Sequence, residues 1–167
     1  VRVITFKDVN IEEVEKPAVG ENDVLVKVRA VALNPYDWHF MRGKPYFMRL
    51  MTGLFKPKSK GFGADFAGVV EAVGKNVVVF KSGDEVYGCK HGAFAEYLCA
   101  GEKSMALKPK NLSFAEAAGV PMAALTALQA LRDSGGFEAG QKVLINGASG
   151  GVGTMAVQIA KWYGCEV

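Results

Sequence analysis

The chain has 167 residues, half of them hydrophobic, with 20 basic and 17 acidic side chains and a net charge of +3. That is enough apolar material for one good core or two small ones, and it excludes a disordered chain. The charges are interspersed apart from Lys56, Lys58 and Lys60, which read as a solvated loop around Pro57, so neither nucleic acid nor a membrane surface is called for.

No apolar run is long enough to span a bilayer, and the N-terminus lacks a secretory pattern, so a soluble, cytoplasmic protein is expected. Cys89, Cys99 and Cys165 show no C-x-x-C spacing and suggest neither a disulfide framework nor a zinc ribbon.

Val1 to Phe6 reads as a short strand, and the alternation of Val24 to Val31 as a half-buried one. Asn34-Pro35 ends it, because the residue before proline is pushed out of the helical region, and a short helix follows over Asp37 to Arg42. From Gly43 to Gly61 a loop carries Tyr46, Phe47, Met48, Leu50, Leu54 and Phe55, either packed on the domain below or forming a wall over an apolar substrate. Strands are expected at Ala67–Gly74, Val77–Phe80, Asp84–Tyr87 and Ala93–Leu98, separated by glycine turns in the manner of a small β-barrel or sandwich. His91, between two of these, reads as a surface loop residue.

The texture changes at Ser113. Ser113-Phe114-Ala115-Glu116 is a capping box, which also makes Ser113 of the formal Asn111-Leu112-Ser113 sequon a helix cap, and Pro121 opens a second helix through Ala124, Leu125, Leu128 and Leu131. The expected organisation is therefore an all-β domain over 1–112 and the start of an α/β domain over 113–167.

The stretch Val143 to Gly153 then reads as strand, turn and the start of a helix, with Met155, Ala156, Ile159 and Tyr163 after Gly153 on one helix face and Gly164 stopping it. Ala148-x-Gly150-x-x-Gly153 is a small-residue version of G-x-G-x-x-G. A turn of this kind bares backbone N–H groups at the positive end of a helix, where they can hold a pyrophosphate. Alone the spacing also fits a plain structural turn; the strand before it and Cys165-Glu166-Val167 as the start of another strand favour a dinucleotide. One strand-helix step cannot bury the faces of such a sheet, so the chain reads as a fragment, or as part of a longer protein.

Asn34-Pro35-Tyr36-Asp37-Trp38, Gly63 to Val70, Gly92 to Tyr97, and Asn146 to Gly153 after Ala124 to Ala127 together resemble the N-terminal half of a medium-chain dehydrogenase/reductase of the zinc-independent, quinone oxidoreductase-like branch. The resemblance implies a GroES-like β-barrel domain followed by the first strand-helix unit of a Rossmann domain, with the nicotinamide in the cleft between them. It implies hydride transfer from NADPH, with NADH the alternative, to a small apolar quinone or enone, and it leaves a homodimer open. The residues that choose between the two cofactors lie about 20 residues past the glycine turn.

Carried over residue by residue, Ala148, Ser149, Gly150, Gly151, Val152 and Gly153 match the pyrophosphate loop, Thr126 a threonine near the nicotinamide, and Asn34 a cleft residue near the ring. Tyr36 and His39 stand where zinc-dependent relatives relay a proton, and either could deliver one here; the stronger reading is that, without zinc to acidify the substrate, Tyr36 and Trp38 line an apolar pocket. Those relatives place a Cys ligand at the position of Asn34 and a ligand His at Ala64, and neither replacement can hold zinc. The opening before Ile11 and the loop from Tyr87 to Gly92 are shorter than is usual in that family. The expected activity is a zinc-independent NADPH-dependent reductase; its rival is a non-catalytic NADPH-binding sensor or structural protein on the same fold.

Overall fold

A computed structural model of the chain describes residues 2–4, 10–42 and 61–167. The expected loop with Tyr46, Phe47, Met48, Leu50, Leu54 and Phe55, and the cluster Lys56, Lys58 and Lys60, lie outside the described residues. The chain forms two compact units, Val1–Gly119 and Val120–Val167.

In the first unit, β1 (Arg2–Ile4) and β2 (Ile11–Glu13) make a two-stranded antiparallel ribbon. The remaining strands are β3 (Asp23–Ala32), β4 (Asp65–Val73), β5 (Glu85–Cys89), β6 (Tyr97–Gly101) and β7 (Met105–Leu107), with helix α1 (Pro35–Arg42) after β3. They form a five-stranded antiparallel sheet in the order β6-β3-β4-β5-β7. The Val- and Leu-rich β3 is an interior strand that pairs with both β4 and β6, and two breaks in its register with β4 mark bulges that bend the strand around the core. That core is Val24, Val26, Phe66, Val70, Phe80, Val86, Ala93, Leu98 and Ala100.

Two expected strands differ. Val77–Phe80 is an open loop, with Phe80 buried, Val77 packed half-buried on the core and Val78 left 86% exposed, because the Glu102 carboxylate accepts from the amides of Val78 at 2.7 Å and Val79 at 2.6 Å and no ladder is needed. The segment expected to start β6 at Ala93 is buried but irregular, with Ala93 donating to Gly63 and Phe94 to Phe62 in place of ladder bonds.

Helix α2 (Phe114–Ala118) opens on the expected capping box: Ser113 Oγ accepts from the Glu116 amide, and the Glu116 carboxylate accepts from the Ser113 amide. Its Ala117 and Ala118 pack on Ala67 of β4, so this helix belongs to the first unit and the division falls after Gly119, later than the change of texture at Ser113.

In the second unit, α3 (Pro121–Gln129) runs into a π-helical turn over Ala130–Ser134 and packs on α4 (Gly151–Trp162). The buried residues are Pro121, Ala123 and Ala127 on one helix and Gly153, Ala156 and Ala160 on the other. Of the face expected on α4, Ala156 is in this contact, Met155 and Ile159 flank it half-buried, and Tyr163 is exposed. Small side chains allow the helix backbones to approach, and that outweighs burying the larger ones.

Val143–Asn146 forms no ladder strand. Lys142 and Glu166 make a single parallel bridge, with Val143 donating to the Glu166 carbonyl at 2.8 Å and Glu166 to Gln141 at 2.9 Å. The expected order of extended segment, glycine turn, helix and returning segment is present, and its parallel pairing is one bridge long. Among the described residues no helix is long and apolar enough to cross a membrane.

Candidate functional site

The first unit gathers most of its buried polar chemistry where β3 hands over to α1. Asn34 precedes Pro35, whose fixed φ suits the first helical position, and the chain turns into the helix there. The Asn34 amide donates to Asp37 Oδ2 at 2.7 Å while the Asp37 amide donates back to the Asn34 carbonyl at 3.0 Å, which is one half of a capping box. Asp37 is buried, and its Oδ1 has no hydrogen-bond partner. Burial raises its carboxyl above the usual range, with the Asn34 N–H and the nearby His91 acting in the opposite direction.

The Asn34 side chain is held from a second side. Its Nδ2 donates to Asp65 Oδ2 at 3.1 Å, and Asp65, the first residue of β4, is fully buried. Cys89, its register partner on β5, has its thiol pushed up to about 11, first by burial and then by the Asp65 charge, so it stays protonated.

Tyr36 and His39 both lie on α1. Burial is the main cause raising the Tyr36 phenol above its ordinary value, followed by Cys89 and Asp37, and its ring lies 5.5 Å from that of Phe40. His39 stacks on Trp38 with ring centroids 3.7 Å apart, and the Arg42 guanidinium lies over the Trp38 ring. Across from this helix, His91 is not the surface residue expected from its loop position. Its ring packs on Phe40 at 4.6 Å, and both its nitrogens are buried without a hydrogen-bond partner. Burial lowers its pKa; the Gly61 backbone, short of hydrogen-bonding geometry, and Asp37 act the other way.

The second unit carries the glycine turn. The Gly150 amide donates to the Gly147 carbonyl at 3.0 Å, closing the turn, and Gly150 is an extended N-cap with no side-chain cap bond. The left-handed residue is Gly147, at φ +74°, one position before the motif, which is why Ala148 is acceptable where the usual pattern has glycine. Gly153 is required for contact: a Cβ there would sit 2.2 Å from the Gly147 carbonyl oxygen and 2.7 Å from Ala148 Cα. Gly151, by contrast, faces open space. Ala148, Ser149, Gly150, Gly151 and Val152 are all exposed, and the first amides of α4 have no partner within the helix. Thr126, on α3, is exposed and donates its hydroxyl to the Met122 carbonyl at 2.7 Å.

The model of the Alcohol dehydrogenase GroES-like domain family matches residues 20–130. The chain belongs to that family. Among relatives of this GroES-like chain, the 2-methylene-furan-3-one reductase of Solanum lycopersicum is 43% identical over 155 residues, covering 87% of this chain and 38% of the relative. The chloroplastic NADPH-dependent alkenal/one oxidoreductase of Arabidopsis thaliana is 42% identical, with the same 87% and 38% coverage. Among solved structures, the quinone oxidoreductase from Coxiella burnetii superposes with a TM-score of 0.85 at 34% identity, covering 98% of this chain and 54% of that one. The GroES-like chain therefore spans well under half the length of these curated relatives and about half that of the solved structure. The expected kinship with quinone oxidoreductase-like proteins holds.

Sequence reasoning about this GroES-like chain passed over Asp37, Asp65 and His91. Asn34-x-x-Asp37 is a cap spacing; Asp65 lies in the segment Gly63 to Val70 that carries the family resemblance, without a role of its own there; His91, read as a surface loop residue, carried no local signal. Asn34, Tyr36 and His39 belong to the first unit, and Thr126 with Ala148–Gly153 to the second.

Proposed function

We propose that the protein is a reductase that uses NADPH, with NADH the alternative, to deliver a hydride to a quinone or an α,β-unsaturated carbonyl without zinc. The observation that carries the reading is the glycine turn, whose left-handed Gly147, uncapped Gly150 and tightly packed Gly153 leave the exposed amides at the start of α4 available to a pyrophosphate. The names of the relatives, a furanone reductase, an NADPH-dependent alkenal/one oxidoreductase and a quinone oxidoreductase, support the acceptor class.

When bound, the cofactor supplies the hydride; the chain's own residues bind, orient and protonate. Ala148 to Gly153, with Thr126 in the same unit, would hold the cofactor, and in the first unit Asn34 is the residue that would meet a bound ligand. The Tyr36 phenol, held protonated by its surroundings, donates the proton that the reduced oxygen or α-carbon requires, with His39 as the second candidate donor. Zinc is not needed for this, and the donor chemistry does not suit it: Asn34 is tied to Asp65, Ala64 has no ligand atom, and among the described residues no group of three His, Cys, Asp or Glu side chains could hold a metal.

The test is to incubate the full-length protein with NADPH or NADH against a panel of quinones and enones. Oxidation of neither cofactor above background sinks the reading, and tight NADPH binding without turnover marks a sensor or structural protein in its place.

A further inference from the structure

We propose that Asp65 is a positioning residue: its buried carboxylate fixes the Asn34 side chain with the amide nitrogen turned inward, so that Asn34 presents its carbonyl oxygen as an acceptor to a bound ligand. An amide can be turned either way, and what decides here is that an ionised carboxylate only accepts hydrogen bonds. With Asn34 Nδ2 at 3.1 Å from Asp65 Oδ2, the reverse orientation would bring two oxygens together. The Cys89 thiol, which keeps its proton, is a second donor toward the same carboxylate.

The backbone of Asn34 is pinned as well, since its N–H donates to Asp37 Oδ2 at 2.7 Å. One half-exposed asparagine is thus held at its main chain by a carboxylate from α1 and at its side chain by a carboxylate from β4. Asp65 sits in register with Ala32 on β3 and Cys89 on β5, so its own backbone is fixed from both neighbours. A fully buried carboxylate is costly to the fold, and an apolar residue of similar volume would be cheaper there. What the sequence gains is a single orientation for Asn34.

The inference rests on the reading above in one respect, that Asn34 meets the cofactor or substrate. The experiment compares Asp65→Asn, Asn34→Ala and the double variant in the full-length protein, by side-chain amide NMR and by NADPH-dependent turnover. In the unmutated protein the Asn34 N–H pair should be split well away from solvent-exposed asparagines, and in D65N, where residue 65 can donate as well as accept, the splitting should shrink. D65N should lower kcat about tenfold, the scale of a slightly misplaced reacting group, with the KM for the acceptor little changed. The double variant should be no slower than N34A alone. A solvent-like Asn34 pair in the unmutated protein overturns the proposal even if D65N fails to fold, and so do D65N and N34A losses that multiply. If the unmutated protein turns over no substrate, the functional reading fails while the NMR comparison still decides the orientation of Asn34.

Discussion

The two units bury opposite kinds of residue. In the first, the largest fully buried side chains are Phe66, Val24, Val26, Val70 and Val86, supplied by neighbouring strands of one sheet. In the second, the buried residues of the helix pair are Pro, Ala and Gly. One unit is held by filling space with apolar volume and the other by bringing backbones close. The first should therefore suffer most when atoms are removed and the second when atoms are added.

Removing atoms from the first unit should have the largest effect. Phe66→Ala takes a ring out of a site with no solvent access, and substitutions of that kind cost about 3–5 kcal/mol. The drop in the midpoint of denaturant unfolding, at unchanged slope, is the measurement. A loss under about 1 kcal/mol would mean that the sheet is not packed as described.

Adding atoms to the second unit comes next, and two neighbouring glycines make the contrast. Gly153→Ala drives a methyl group into the Gly147 carbonyl and the Ala148 backbone, which cannot swing aside as a long side chain could. A cost of about 1–3 kcal/mol is expected, as for overpacked sites, together with loss of NADPH binding as the turn is displaced. Gly151→Ala meets nothing within 4 Å and lies in the first turn of α4, so its stability should stay the same or rise by up to about 1 kcal/mol. Under the proposed function, a loss of NADPH binding in that variant would report the space a pyrophosphate needs at the turn. Equal stability losses in the two variants would remove the distinction between them.

The same contrast explains which parts of the molecule were legible in the sequence. The capping box at Ser113 and Glu116 and the glycine turn are local devices, whose residue types and spacing are their own mechanism, and both stand where expected. The contact face of α4 was legible only in part from apolar periodicity: Ala156 stands on it as expected, whereas Gly153 and Ala160 join it for their smallness and Met155 and Ile159 lie at its flanks. Val77–Phe80 has the composition of a strand, but its amides are taken by Glu102, a side chain more than twenty residues away. Within the candidate site, Asn34, Tyr36 and His39 came from a recognisable segment. The partner that orients Asn34 is 31 residues distant, and His91 meets Phe40 only once β5 and α1 are in place. Nothing in the local pattern of either residue announces these contacts.

The smallest predicted effect concerns His91, and its direction follows from proton linkage. Burial lowers the His91 pKa in the folded protein below the ordinary imidazole value of about 6.5. Between that ordinary value and the lower folded one, the unfolded chain binds more protons than the folded chain, so stability falls as pH falls through the window and is unaffected above it. His91→Gln has no such titration, and the gap between unmutated protein and variant should narrow as pH drops below about 6.5, read as unfolding midpoints at a series of pH values. Asp37 opposes the trend, because its charge favours a proton on His91, and the half-buried position of His91 keeps the whole effect modest. In Asp37→Asn that attraction is gone, and the pH dependence conferred by His91 should steepen. A flatter dependence in Asp37→Asn than in the unmutated protein would show that the two side chains do not face each other across α1 and the loop after β5.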